Sequence, residues 1–298
     1  MSRLSCVTWI LASVLSFYAK DVSAQAIGQE GFINSQGVPI HYVTAGKGPL
    51  LVMLHGFPDF HRSWRHQIFE LAKHFQVVAP DLRGFNKSGK PDGVSNYKMD
   101  KLTGDVAALL RHFNQEKIIL VGHDWGGAIA WNFAMNHPDK VERLVILNLP
   151  HPSGLSRELA DNPEQQKASQ YARDFQKPEA AKLVKPEALA GYVRNPGERA
   201  LYVEALKLSS MEGMLNYYKA NYPRPPYKPL ENTSRVKCPV LMFHGLDDKA
   251  LLPEGLNNTW KWIDGDLTLV TVPGAGHWVH WDKPELVTAR MLSWLTNK

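Results

Sequence analysis

The segment Gly122-His123-Asp124-Trp125-Gly126-Gly127 places an acid between glycines, just after the apolar run Ile118–Val121 and just before a helix-period stretch. Strand, sharp turn and helix in that order make a nucleophile elbow. Its glycines allow a turn too tight for side chains, and the central residue is thrust out at the carboxyl end of the strand. Here that residue is Asp124, a carboxylate already ionised at neutral pH that needs no base before attacking an electrophilic carbon. The bland alternative is an aspartate that merely caps the helix.

Two later segments offer partners. Phe243-His244-Gly245-Leu246-Asp247-Asp248 carries an acid three residues after a glycine, Asp248, with Asp247 as its competitor. Pro273-Gly274-Ala275-Gly276-His277-Trp278 carries a histidine after another strand candidate. A histidine oriented by a carboxylate is a general base that can activate water. The turn after Arg143–Leu147 could also have held the acid, but Asn148 stands there. Upstream, His55-Gly56-Phe57-Pro58 follows a strand candidate and can aim the Phe57 N–H into the site beside the Trp125 N–H. Two such donors would stabilise negative charge on an oxygen derived from the carboxyl group. His74, His112 and His137 lack comparable context and read as surface or helix-face residues.

Positioning these groups requires a rigid sheet. Strand candidates are Ile40–Val43, Leu50–Leu54, Gln76–Ala79, Lys117–Val121, Arg143–Leu147, Val240–Phe243 and Leu267–Val272, with nearly continuous apolar runs of the kind buried on both faces. Between them, Trp64–His74, Asp100–Asn114, Gly126–Asn136 and Pro284–Leu295 carry helical periodicity. The alternation predicts an α/β fold with a mostly parallel sheet flanked by helices. Residues 151–231 break the rhythm: they are helix-like, hold seven of the ten tyrosines and are punctuated by Pro152, Pro163, Pro178, Pro186 and Pro196. An insertion at the carboxyl end of a parallel sheet lies over the place where such sheets bind ligands, and so reads as a lid.

Composition narrows the function classes. With 298 residues, 44% hydrophobic and 21% charged, the chain has globular proportions, and its net charge of +5 is dispersed rather than gathered into a basic patch. Nucleic-acid binding is therefore not expected. Arg3, the apolar stretch Leu4–Ala19 and Val22-Ser23-Ala24 have the form of a secretory signal peptide over residues 1–24. The alternative is an uncleaved anchor, though sixteen residues fall short of a span of ~20. Removal of the leader takes Cys6 with it and leaves Cys238 alone, without an intramolecular disulfide, which suits export to a bacterial periplasm or secretion.

Together these motifs resemble the α/β-hydrolase fold, and within it the epoxide hydrolases that use an aspartate nucleophile, relatives of the haloalkane dehalogenases. The resemblance runs from about residue 30 to 297 and includes Ser63-Trp64-Arg65-His66-Gln67, Asp81-Leu82-Arg83-Gly84-Phe85 and Asp282-Lys283-Pro284, with Asn86 departing from the commoner glycine. It implies a core of residues 25–150 and 232–298 and a helical cap of residues 151–231. It also implies two cap tyrosines over the nucleophile: Tyr171, ahead of Phe175-Gln176, and Tyr218, closing Leu215-Asn216-Tyr217-Tyr218. Phenols of pKa ~10 can protonate an opening epoxide oxygen while staying neutral themselves. Tyr192 and Tyr202 read as lid packing.

The implied reaction converts a small-molecule epoxide and water to a vicinal diol through an ester on Asp124, with no metal or organic cofactor. One rival is a haloalkane or haloacetate dehalogenase using the same nucleophile and the Trp125 indole. Another is a non-catalytic exported binding protein on the same scaffold. Oligomeric state is not encoded in any recognisable motif. If the leader is cleaved, the mature protein from its native host should begin near Gln25. Amino-terminal sequencing that finds Met1 or Ser2 on a soluble cytoplasmic form would remove the export reading.

Overall fold

Continuous apolar runs become strands here because both faces of the sheet are covered. The computed structural model describes residues 27–297, and the expected leader lies outside them. Among the described residues, eight strands form one sheet: β1 (Gln29–Ser35), β2 (Val38–Ala45), β3 (Leu50–Leu54), β4 (Gln76–Pro80), β5 (Ile118–His123), β6 (Val141–Leu147), β7 (Val240–Gly245) and β8 (Leu267–Val272). Their spatial order is β1-β2-β4-β3-β5-β6-β7-β8, with β2 antiparallel to both its neighbours and all other pairs parallel. Alternate residues of the central strands feed two cores. Leu50, Val52, Leu120, Leu144 and Ile146 join one, and Leu51, Met53, Ile119, Val121 and Val145 join the other.

Helices α1 (Arg65–Leu71), α2 (Met99–His112) and α3 (Trp125–Asn136) lie between successive strands. Leu102, Val106, Leu109, Ile129 and Phe133 from α2 and α3 enter the first core, whereas Ile68 and Leu71 from α1 enter the second. Seven helices then intervene between β6 and β7: α4 (Pro152–Asp161), α5 (Pro163–Ala168), α6 (Gln170–Phe175), α7 (Ala180–Leu183), α8 (Pro186–Leu189), α9 (Pro196–Leu208) and α10 (Met211–Asn221). Four of them open with proline, whose missing N–H is no loss in a first turn. Short α11 (Val279–Asp282) and α12 (Pro284–Thr296) close the fold, with Val287, Met291 and Leu295 in the second core.

Two sheet edges depart from the sequence reading. β1 is a strand that the apolar pattern did not mark, because only Ile33 and Ser35 of Gln29-Glu30-Gly31-Phe32-Ile33-Asn34-Ser35 are buried. Its register comes from the hairpin with β2, whose turn residues Gln36 and Gly37 both adopt positive φ. At the opposite edge, β8 is as apolar as a central strand, yet Thr268, Leu269 and Thr271 are exposed, so it is not buried on both faces.

The inserted helices are tied to the core by buried polar contacts. Arg62 grips Glu198 of α9 through Nε and Nη2 at 2.9 and 2.7 Å, and Arg65 stands 3.6 Å from the same carboxylate. Tyr202 donates to Asp59 (2.8 Å) and Tyr217 to the Arg83 carbonyl (2.9 Å). Ser210 N–H, at the start of α10, donates to the Gly84 carbonyl (2.9 Å).

Packing is close where β5 becomes α3. A Cβ on Gly126 would overlap the carbonyl oxygens of Leu54 and His55, so the elbow can seat against β3 only with glycine there. Gly126→Ala should therefore destabilise the fold by about 3 kcal/mol, the upper end of the overpacking range. The check is the urea midpoint against wild type, and an unchanged midpoint would show that the elbow has slack.

Candidate active site

Backbone strain delivers the acid. Asp124 sits at φ 50° and ψ −121°, a conformation few side chains tolerate, at the junction of β5 and α3. Its side chain makes no cap bond to α3, which excludes the helix-capping alternative. Instead Oδ1 accepts a hydrogen bond from the Phe57 N–H at 2.7 Å. A Cβ on Gly56 would collide with the Asp124 side chain, so the loop after β3 can come this close only with glycine. His55 fixes that loop. Its Nε2 accepts from Leu82 N–H (3.0 Å), so Nδ1 carries the hydrogen and donates to the Gly56 carbonyl (2.8 Å).

The other carboxylate oxygen faces the histidine. His277 Nε2 stands 3.7 Å from Asp124 Oδ2, and its Nδ1–H donates to Asp248 Oδ2 at 2.8 Å. Asp248 is buried whereas Asp247 is exposed, which separates the two candidate acids. Asp248 Oδ1 accepts from the N–H groups of Ala250 and Leu251, and Oδ2 also accepts from Asn148 Nδ2 at 2.8 Å. Asn148, just after β6 with φ 43°, thus supports the acid from the turn that the sequence offered as the acid's alternative position. The sequence marked its place and not its role.

The charges are coupled. Burial pulls the His277 imidazole down, but the carboxylates of Asp248 and Asp124 overcome this and raise it to about 10. Burial pushes the Asp124 carboxyl up, and the bond and charge of His277, with help from the Phe57 N–H, hold it below its ordinary value. Asp248 is likewise held well below the carboxylate range, chiefly by His277 against burial. The resting site is an imidazolium between two carboxylates.

Above them lies a cavity of about 380 Å³, lined by Asp124 and Trp125 from the elbow, Tyr171 and Tyr218 from the inserted helices, and mostly apolar side chains including Met99, Leu149, Leu155 and Leu251. The Tyr171 and Tyr218 rings are 6.1 Å apart at their centroids, and Phe175 touches both edge-on. Burial, with the nearby Asp124 charge, pushes both phenols well above their ordinary value, so both are neutral acids. Gln176 Nε2 donates to the carbonyls of Tyr218 and Tyr222, which closes the end of α10 and fixes Tyr218 relative to Tyr171. Adjacent Tyr217 points away toward Arg83. Tyr192 stacks on Trp278 at 4.0 Å and donates to the Pro58 carbonyl, and Tyr202 is committed to Asp59. All seven residues singled out from sequence, Phe57, Asp124, Trp125, Tyr171, Tyr218, Asp248 and His277, therefore gather at one end of the sheet. Sequence reasoning did not single out His123, whose Nε2–H donates to the His277 carbonyl at 2.8 Å.

The family model described as the alpha/beta hydrolase fold matches residues 49–284. The chain belongs to the α/β-hydrolase family. Among curated relatives, it is 34% identical over 283 residues to the AB hydrolase superfamily protein YfhM of Bacillus subtilis, covering 90% of this chain and 98% of that one. It is 31% identical over 288 residues to epoxide hydrolase 3 of Xenopus tropicalis, covering 89% and 77%. Among solved structures, a point mutant of an epoxide hydrolase from Bacillus megaterium, complexed with its product (R)-3-[1]naphthyloxy-propane-1,2-diol, superposes with a TM-score of 0.80 at 34% identity, covering 90% of this chain and all of that one. Within the family this hydrolase thus groups with the epoxide hydrolases.

The raised value of His277 ties stability to pH. The native state keeps a proton that the unfolded chain gives up near 6.5, so this contribution is full below about 6.5 and is lost as pH rises through about 10. Asp248→Asn removes the larger attracting charge and should bring His277 back toward 6.5. An NMR titration of the His277 ring checks the value, and urea midpoints between about pH 6 and 10 should flatten in the variant relative to wild type.

Proposed function

We propose that this hydrolase opens epoxides to vicinal diols through a covalent ester on Asp124. The observation that carries the reading is the pair of neutral phenols, Tyr171 and Tyr218, lining the same cavity as a carboxylate backed by an Asp–His pair. Asp124 Oδ1 is held by the Phe57 N–H, which leaves Oδ2 as the attacking oxygen. Oδ2 bonds to an epoxide carbon as the ring C–O bond breaks, and the freed oxygen takes a proton from one tyrosine.

Esterification removes the Asp124 charge that helped to hold the proton on His277. His277 returns that proton to the phenolate by way of solvent and becomes a neutral base. It then deprotonates a water that attacks the Asp124 carboxyl carbon. Negative charge gathers on Oδ1, already bonded to the Phe57 N–H, while the Trp125 N–H at the free start of α3 supplies the second donor. The tetrahedral species collapses with cleavage of the bond from the Asp124 carboxyl carbon to Oδ2, and the departing diol oxygen takes the remaining hydrogen of the added water, which leaves Asp124 ionised, His277 protonated and both phenols neutral. The chemistry calls on no metal or organic cofactor.

An apolar cavity beside these groups suits an epoxide with a bulky apolar or aromatic substituent, in keeping with the naphthyloxy diol bound by the Bacillus megaterium relative. Export to the periplasm or secretion remains part of the proposal and rests on residues 1–24.

Single turnover in heavy-oxygen water should place the label in the Asp124 side chain, read by peptide mass spectrometry, because water attacks the ester carbonyl. Label found only in the diol would mean direct hydration. His277→Gln should form the ester and stall, leaving protein heavier by one substrate mass.

Dehalogenation is the competing chemistry because the Trp125 indole also faces the cavity. Tyr171→Phe and Tyr218→Phe should each lower diol formation by roughly 10²- to 10⁴-fold, the usual weight of a positioned acid. The double variant should lose less than the product of the two, because the hydroxyls share one oxygen. Halide release that ignores both tyrosines and collapses in Trp125→Phe, with no diol formed, would make the protein a dehalogenase.

A further inference from the structure

Beside His277, and apart from the residues that line the cavity, lies a buried polar cluster that the proposed reaction does not use. Asp59 from the loop after β3, His123 at the end of β5 and His280 from α11 are 2%, 0% and 0% exposed. One ligating atom from each lies within 4.8 Å of the other two.

Hydrogen bonding fixes the tautomers. His123 Nε2 faces the His277 carbonyl at 2.8 Å and must carry its hydrogen, so Nδ1 presents a lone pair. Ser63 Oγ–H is committed to Asp59 Oδ2 at 2.6 Å, so His280 Nε2, 2.9 Å from the same Oγ, must be the donor in that contact. His280 Nδ1 then also presents a lone pair. Both Nδ1 atoms are buried without a hydrogen-bond partner. Asp59 accepts from Phe60 N–H and Tyr202 O–H on Oδ1 and from Ser63 on Oδ2, which leaves one of its roughly four acceptor positions open. The cluster is rich in lone pairs and has no free hydrogen to offer.

We propose that Asp59, His123 and His280 bind one divalent transition-metal ion of the zinc type. Two neutral imidazoles and a carboxylate are the donor set such ions prefer, at about 2.0–2.2 Å. A water is the weaker fit. It could donate to both imidazoles, but none of the three residues has a hydrogen to give in return, whereas buried waters make about three hydrogen bonds. Through the His123 bond to the His277 carbonyl, and through the Tyr202 bond that Asp59 accepts from α9, the ion would brace both the catalytic histidine and the inserted helices. The proposal is independent of which substrate the cavity takes.

The test uses the full chain, stripped with chelator and then incubated with zinc chloride. Wild type should retain one zinc per chain through gel filtration, measured by plasma mass spectrometry. His280→Gln and Asp59→Asn, shown to be folded by circular dichroism, should bind at least about tenfold more weakly. If either variant fails to fold, histidine ¹⁵N NMR of wild type decides: zinc should shift the ring nitrogens of His123 and His280. No retained zinc, equal retention by a folded variant, or shifts confined to exposed His74, His112 and His137 would overturn the site.

Discussion

Two carboxylates, Asp124 and Asp248, are buried against a single imidazole, and the rest of the architecture answers to that arrangement. Isolated buried carboxylates would take up protons and lose their use. Here each keeps its charge because His277 lies between them and because backbone N–H groups of Phe57, Ala250 and Leu251 accept part of the burden. In the proposed reaction the same coupling would give the site its timing. While Asp124 is ionised, His277 holds its proton firmly; were Asp124 to become a neutral ester, one of the two attractions would be gone. A base too strongly protonated to work in the resting state would thereby be released at the stage where water must be activated.

Each member of the group comes from a different part of the chain, so its spacing depends on the sheet. Asp124 follows β5, Asn148 follows β6, Asp248 follows β7 and His277 follows β8, all at the carboxyl ends of adjacent parallel strands. Parallel pairing places these ends side by side, and close packing at Gly126 and Gly56 removes slack from the elbow. The inserted helices supply what the sheet cannot, two phenols facing back toward the carboxylate. Phe175 and Gln176 set their separation, and the bonds from Tyr217 and Ser210 to the Arg83 and Gly84 carbonyls hold α10, and with it Tyr218, on the core.

Much of this was legible because tight turns and catalytic chemistry leave little freedom of residue type. Gly122 to Gly127, Gly245 to Asp248 and Gly276-His277 marked themselves by context, and Tyr171 and Tyr218 by the family resemblance that their neighbours carry. What escaped notice was of two kinds. β1 is held by a hairpin and its register rather than by an apolar pattern, and β8 carries a core-like pattern at an exposed edge. Neither signal exists in composition. Asn148, His123 and His280 act through partners more than twenty residues away in the chain, and an amide or imidazole reveals its tautomer and its partner only when the fold brings them together.

The division of the sheet has a consequence for biogenesis. β6 hydrogen-bonds to β7 in parallel register, Leu144 to Val240 through Leu147 to Phe243, yet about 90 residues of helical insertion separate the two strands. At synthesis rates of roughly 5–20 residues per second, the edge of β6 waits about 5–18 s for its neighbour, with Val145, Ile146 and Leu147 exposed as an aggregation-prone template. Such long-range parallel pairing is also the slow kind to form. A chain that folds this way benefits from being held unfolded until its last third has been made, and a route that delivers it across a membrane as an extended polypeptide would defer sheet closure to a compartment where the whole sequence arrives together.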